Sequence, residues 1–446
     1  MQLLERWNAA LWTLLPPLVL LVGLVYTVGS RFFPLRRAGL WLRGTAGSLF
    51  RRGEQKGDCL SPRQALAASL AATIGTGSVA GVAAALWLGG PGAVFWMWIA
   101  AGLGMMTGCG EKLLAVRYQQ VLPGGGRRGG PMYYLRDGCR APWLAKGFAL
   151  ACLPATLVGG GMIQSAAIAS SLSALWGVDR RVAGLGAALL AGLILRGGLS
   201  RTARVASALV PGMALLYLGV GGTVLVLRRE CLLPALRAIV AGAFSPAAAL
   251  GGGTGWSLSA ALRAGLARGI FASEAGLGPS AMAHGAARAD HPAQQGMWGI
   301  FEVFVSTFLV CTTTALVILV SGLWPPARCP DEMALASAAF GAVLGPAGQG
   351  AVSAAMLLFA FSSILGWGCY GAQSLEFLTG GAGLALYHAL LLAAIFAGAV
   401  LAPDGLWQWV DLTAGLMALP NLTALLVLAP EALGLLREWE TLFTGS

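Results

Sequence analysis

Residues 65–108 read ALAASLAATIGTGSVAGVAAALWLGGPGAVFWMWIAAGLGMMTG. The stretch is apolar enough to cross a bilayer twice, and its first crossing is broken midway by Gly75-Thr76-Gly77-Ser78. Glycine costs about 1 kcal/mol relative to alanine inside a helix, so two glycines around a polar pair weaken the ladder there. In lipid the freed N–H and C=O groups must find partners. A gap at mid-depth persists only where protein, water, an ion or a substrate fills it. The half-helix ends then offer N–H groups to a carboxylate and carbonyls to a cation. That combination suits an amino-acid transporter with a coupling ion. A plainer reading stands beside it, because Gly77-x-x-x-Gly81 is also a pattern for close helix packing.

The rest of the chain has the same character. Its 446 residues are 57% hydrophobic and 11% charged, against about 25% charged in average proteins. Apolar segments recur along the whole length, which makes this an all-α polytopic membrane protein. The first apolar run lacks a basic leader and a small-residue cleavage site, so it reads as a retained span. The net charge of +11 lies in short connections and points to the membrane surface rather than to nucleic acid. The 65 glycines fit backbones that pack closely or break. The eight cysteines show no metal spacing, and four of them, Cys109, Cys152, Cys311 and Cys369, fall inside spans as small apolar fillers.

About eleven spans follow, near 9–28, 66–88, 93–120, 145–174, 182–195, 205–227, 247–268, 295–321, 346–371, 384–401 and 406–428. With the N-terminus outside and the C-terminus cytoplasmic, 22 of the 29 Lys and Arg face the cytoplasm and 7 face outward, as the positive-inside rule requires. A second glycine run, Gly251-Gly252-Gly253-Thr254-Gly255, opens the seventh span. Breaks at matching positions of two halves point to an inverted repeat with its site at the midplane. The units are then an N-terminal span with a basic connection (1–64), a first five-helix repeat (65–228), an inverted second repeat (229–430) and a cytoplasmic tail (431–446). A periplasmic glycine loop before an unbroken helix is the alternative for the second run.

Other motifs carry less chemistry. The loop at 122–131, LPGGGRRGGP, has no phosphate-cradle pattern and reads as a basic cytoplasmic connection. His284 and His291 fall in another connection without companion ligands for a metal. Cys231 and Cys329 both face outward in this topology, where they read as two free thiols or a disulfide. No nucleophile–base pair, zinc pattern or cofactor fingerprint lies within the spans, which argues against a membrane enzyme and a cofactor.

Several longer words, in order, carry a resemblance: GTGSVAGVA, GGPGAVFWMW, GGPMYYL, RGIFASEAGLG, QGMWGIFEVFVSTFLVCTTTAL, FAFSSILGW and DLTAGLMALPNL. From about residue 10 to about 430 the chain resembles the alanine/glycine:cation symporter family. The resemblance implies a LeuT-type 5+5 inverted repeat preceded by one extra N-terminal helix, in the plasma membrane. It also implies uptake of small neutral amino acids with sodium, or sometimes protons. Thr76 and Gly77 resemble positions that meet the substrate carboxylate, with Ser78 beside them and Gly253 and Thr254 as counterparts in the second break. Gln164 resembles a pocket glutamine, and Trp367 a tryptophan that limits side-chain size. Ser362 and Ser363 resemble a hydroxyl pair that helps hold sodium, with backbone carbonyls near Ala71 and Ile74. Hydroxyl and carbonyl oxygens suit such a hard cation.

The chain also departs from the family. Ser78 stands where the family usually has Asn, Ala166 and Ala167 follow Gln164-Ser165 where it has Asn-Ser, Ser273 precedes Glu274 where it has Asn, and Ala372 replaces a Glu. Ser306 replaces an Asp, while Glu302 stands where the family tends to have Gly. Positions four apart share a helix face, one turn or ~5.4 Å away, so the carboxylate has shifted by a turn. An acid within a span is a functional candidate, and Glu302 and Ser306 are candidates for ion or proton coupling. The alternative places Glu302 near the cytoplasmic end of span 8, solvated or paired with an arginine. Glu111, Glu274 and Glu376 are expected near cytoplasmic span ends, paired with basic loops. The lost polar groups also keep an uncoupled pore or a binding-only sensor open as alternatives.

Overall fold

The computed structural model describes residues 2–48, 59–122, 125–244, 258–324, 332–401 and 405–444. The second glycine run, with Gly253 and Thr254, lies outside them, as does Cys329. Cys231 is an exposed free thiol.

Among the described residues fifteen helices carry the fold, with a few shorter helical turns in the connections. They are α1 (Gln2–Gly29), α2 (Pro62–Thr73), α3 (Ala80–Gly89), α4 (Gly92–Arg117), α5 (Pro142–Trp176), α6 (Arg180–Leu195), α7 (Gly198–Leu227) and α8 (Arg229–Phe244). Then come α9 (Leu258–Ser273), α10 (Ser280–Gly285), α11 (Pro292–Val320), α12 (Glu332–Thr379), α13 (Leu384–Leu401), α14 (Leu406–Val427) and α15 (Ala429–Thr444). Among the described residues 8 helices are long and apolar enough to span a membrane, or 9 if α2 and α3 form one broken span. Two expected spans are not among these: α6 has 16 residues, and the described part of α9 has 16. The amphipathic helix α8 was not legible as a helix. Nor was the segment before Gly345, where α12 bends at a left-handed φ of 66°.

Local chemistry sets the helix that matters most. Ser61 caps α2 reciprocally: its hydroxyl accepts from the Gln64 N–H at 3.3 Å, and its own N–H donates to Gln64 Oε1 at 3.0 Å. Pro62 occupies the first turn, where no N–H is missed. Twelve residues later the ladder fails, and α2 and the following helical segment meet at 63°.

Helices approach closely through small residues, as membrane packing favours. Gly299 of α11 lies against Gly108 of α4, where a Cβ would come within 2.4 Å of the Gly108 carbonyl oxygen. Gly366 of α12 lies against α2, where a Cβ would stand 2.9 Å from the Ala72 nitrogen. Two helices carry wide, five-residue-spaced turns in mid-course, Thr156–Ile163 in α5 and Phe304–Cys311 in α11. Such turns are rare and often sit at functional sites.

Candidate functional site

The break in α2 frees specific oxygens. The Gly75 N–H turns to the Thr73 carbonyl at 3.1 Å instead of reaching back one helical turn to Ala71. The Ala71 carbonyl is taken up from α12, where Ser362 and Ser363 hydroxyls each donate to it at 3.1 Å. Ser363 also reaches the Ala72 carbonyl at 3.3 Å. A Cβ on Gly75 would lie 2.5 Å from Ser363 Oγ, so the broken backbone sits directly on that serine. Three of the four proposed sodium ligands, Ala71, Ser362 and Ser363, therefore share one spot. Ile74 is the residue at which α2 ends, with φ −84° and ψ 80°.

A second interruption among the described residues follows α9. Helix α9 stops at Ser273, and α10 starts at Ser280. Between them Glu274, Gly276 and Gly278 adopt left-handed φ values of 52°, 93° and 98°. Gly276 and Gly278 tolerate this without a Cβ penalty, whereas Glu274 is strained. A Gly-Pro step at 278–279 is a turn signal, so this position was legible in the sequence; the run at 251–255 lies outside the described residues.

The two interruptions share one cavity. Its walls include Gly75 and Gly77 from the first break, Phe271, Glu274 and Leu277 from the second, Gln164 and Gly159 from α5, Trp367 from α12 and Met417 from α14. The cavity measures about 30 Å³, room for a small group or two waters rather than a large side chain. The wide turn in α5 seats Trp367, because a Cβ at Gly160 would come within 2.3 Å of the tryptophan Cβ. Thr76 donates to Gln164 Oε1 at 3.2 Å, tying the first break to α5.

Two candidates are not brought there. Ser78 is buried, its hydroxyl directed to the Thr73 carbonyl at 3.5 Å and its own carbonyl accepting from Thr314 of α11 at 3.1 Å. Ser306 donates to the Val303 carbonyl of its own helix at 3.3 Å. A hydroxyl at either position is too short to leave its own backbone neighbourhood.

Glu302 is neither solvated nor paired with an arginine. Its side chain is fully buried beside α2, accepting at Oε1 from Ser69 at 2.6 Å and Thr73 at 2.8 Å. Its Oε2 lies 3.3 Å from Lys112 Nζ and 3.6 Å from His284 Nε2. Lys112 in turn stands 3.4 Å from Glu111 and donates to Ser280 of α10 at 2.7 Å. Glu111 Oε1 accepts from the Gly276 N–H at 2.9 Å and from Asn421 of α14 at 2.7 Å. The cluster thus binds both interrupted crossings to α4, α11 and α14.

This cluster overturns three expectations. Glu111 and Glu274 are buried acids within the bundle rather than partners of basic loops, and His284 is buried rather than in a solvated connection. Lys112 was missed because a lone lysine near a span end resembles a loop charge. Its sequence neighbour Glu111 was the only sign of a buried pair. Glu376 does meet a basic loop, at 2.9 Å from Arg128. Among the described residues no group of three metal-ligating side chains of the His/Cys/Asp/Glu type occurs.

Comparisons with known proteins identify the family. The model of a family described as the sodium:alanine symporter family matches residues 1–444. An uncharacterized transporter, YflA, of Bacillus subtilis is 36% identical over 435 residues, covering 96% of this chain and 92% of its own. A sodium/alanine symporter, AgcS, of Methanococcus maripaludis is 37% identical over 376 residues, covering 83% and 82%. Among solved structures, a manganese transporter of Eremococcus coleocola superposes with a TM-score of 0.51 at 16% identity, covering 84% of this chain and 78% of that one. That likeness speaks for the fold alone.

Proposed function

The chain belongs to the sodium:alanine symporter family, a family of membrane transporters rather than enzymes, and from that premise we propose that it imports a small neutral amino acid, of the alanine or glycine type, together with sodium across the plasma membrane. The observation that carries this reading is the convergence of two interrupted crossings on one small cavity, closed by Trp367 and Gln164. The opening of the half-helix after Gly75 suits a carboxylate, since N–H groups and the dipole point that way. The indole leaves room for little beyond a methyl group. Sodium is carried as cargo at Ala71, Ile74, Ser362 and Ser363, next to the same break. Each ligand then favours the other, because both order one piece of backbone.

The excess of Lys and Arg in the connections supports a topology with the N-terminus outside and the C-terminus in the cytoplasm. A LeuT-type 5+5 arrangement after one extra helix, 65–228 followed by 229–430, supplies the halves that rock about the site. Glu302 serves coupling by holding Ser69 and Thr73 just before the break, with the resident Lys112 answering its charge. A second reading, proton coupling, is favoured by the buried Glu302–His284 contact at 3.6 Å.

The test is uptake of labelled alanine into proteoliposomes under an imposed sodium gradient, a proton gradient or neither. Sodium symport predicts accumulation above the external concentration only with the sodium gradient. Accumulation only with the proton gradient selects the second reading. Equilibration without accumulation under any gradient contradicts both and leaves a pore.

A further inference from the structure

Among the described residues the buried acids outnumber the buried lysines and arginines, and one of those acids lies at the cavity. Glu111, Glu274 and Glu302 are all buried, at 0%, 3% and 0% exposure. Lys112 is the one lysine among them and stands within 3.4 Å of Glu111 and 3.3 Å of Glu302. His284 also approaches Glu302. Glu274, by contrast, lines the cavity, and its Oε2 is buried with no hydrogen-bond partner.

An ionised carboxylate in an apolar interior requires a paired cation or gives up its charge. The chain places its lysine on the other two acids. It also holds Glu274 at a strained φ of 52°, between Ser273 and the Gly276 N–H that is tied to Glu111 at 2.9 Å. Strain of that kind persists where the surroundings over-determine it. The residue so held lines the same cavity as Gly75 and Gly77 of the first break.

We propose that Glu274 is the counter-charge for the substrate's α-ammonium. The cavity then has a carboxylate-binding end at the α2 break and an ammonium-binding end at Glu274, and it selects zwitterions over carboxylic acids and over amines. This deepens the amino-acid reading above and rests on it.

The test measures binding to the purified full chain in sodium-containing detergent solution. The probes are L-alanine, propionate, which lacks the ammonium, and ethylamine, which lacks the carboxylate. In the wild-type protein alanine binds at least about 30-fold tighter than propionate, the smallest factor expected when one partner of a buried charge pair is absent. In Glu274→Gln alanine weakens by a similar factor while propionate does not, so the preference collapses. Glu274→Asp restores part of it. The sodium-dependent rise in melting temperature of the ligand-free protein is retained in both variants, which separates loss of a contact from loss of structure.

Alanine binding unchanged in Glu274→Gln overturns the proposal. So does a loss of alanine binding with the alanine-to-propionate ratio intact. Unchanged binding with lost accumulation identifies Glu274 as a proton carrier instead. If Glu274→Gln does not fold, the wild-type ratio decides, and equal binding of alanine and propionate overturns the assignment. Failure of the wild-type protein to bind any small amino acid removes the parent reading rather than this one.

Discussion

At the scale of single residues the site rests on unequal partners. Lys112 and Glu302 form a fully buried pair. Breaking such a pair from one side costs about 3–5 kcal/mol, whereas removing both partners is often nearly neutral. Lys112→Met is therefore expected to lower the melting temperature more than the double variant Lys112→Met/Glu302→Gln, and a thermal-denaturation cycle over the four proteins measures the coupling. Ser363 gives its hydroxyl to both Ala71 and Ala72. Ser363→Ala is expected to weaken sodium activation of alanine binding about tenfold, the equivalent of one modest oxygen contact. Trp367→Phe is expected to admit valine as a competitor of alanine uptake. Competition assays with valine against both proteins measure this, and an unchanged specificity profile counts against Trp367 as the size limit.

At the scale of elements the breaks and the close contacts decide the shape. Gly366 abuts the Ala72 backbone, which cannot swing aside as a flexible side chain can. Gly366→Ala is expected to destabilise by about 1–3 kcal/mol, the usual range for overpacking. The check is its melting temperature in detergent alongside its uptake. The first break was legible at Gly75–Ser78 because two glycines flank polar residues inside an apolar run. The interruption at Gly276-Leu277-Gly278-Pro279 was overlooked because the denser glycine run at 251–255, which lies outside the described residues, outweighed it. Helix α8 and the N-terminal part of α12 escaped notice because Arg228, Arg229 and Gly345-Pro346 read as boundaries. The buried acids escaped because sequence alone shows an acid's position along a span and not which neighbour answers it. Only Glu302 stood out, because it stands where the resembling family tends to have Gly, one turn before Ser306.

At the scale of the whole molecule, segments expected on the cytoplasmic side touch one another. Helix α15 lies over the loop after α1. Glu440 accepts from Arg36 Nη1 and Nη2 at 2.5 and 2.9 Å and from Arg37 Nε at 2.7 Å. Glu431 accepts from Arg117 at 2.9 Å and from Tyr118 at 2.5 Å. Hydrogen bonding to Arg36, and then to Arg37, holds the Glu440 carboxyl below the usual carboxylate range. A lowered folded value means the contribution is present above the unfolded pKa, near ~4.3. It is lost as pH falls through the lowered value. Glu440→Gln is expected to lower the melting temperature at neutral pH. The difference from the wild type should shrink as the pH falls below about 4. Melting curves across that range check it.

The central claim is that sodium and a small amino acid meet at one broken stretch of backbone between α2 and α12. Calorimetric titration of purified protein with alanine, with and without sodium, and with sodium, with and without alanine, tests it most directly. A shared site predicts that each ligand tightens the other by the same factor, as linkage demands. Alanine affinity indifferent to sodium would contradict it.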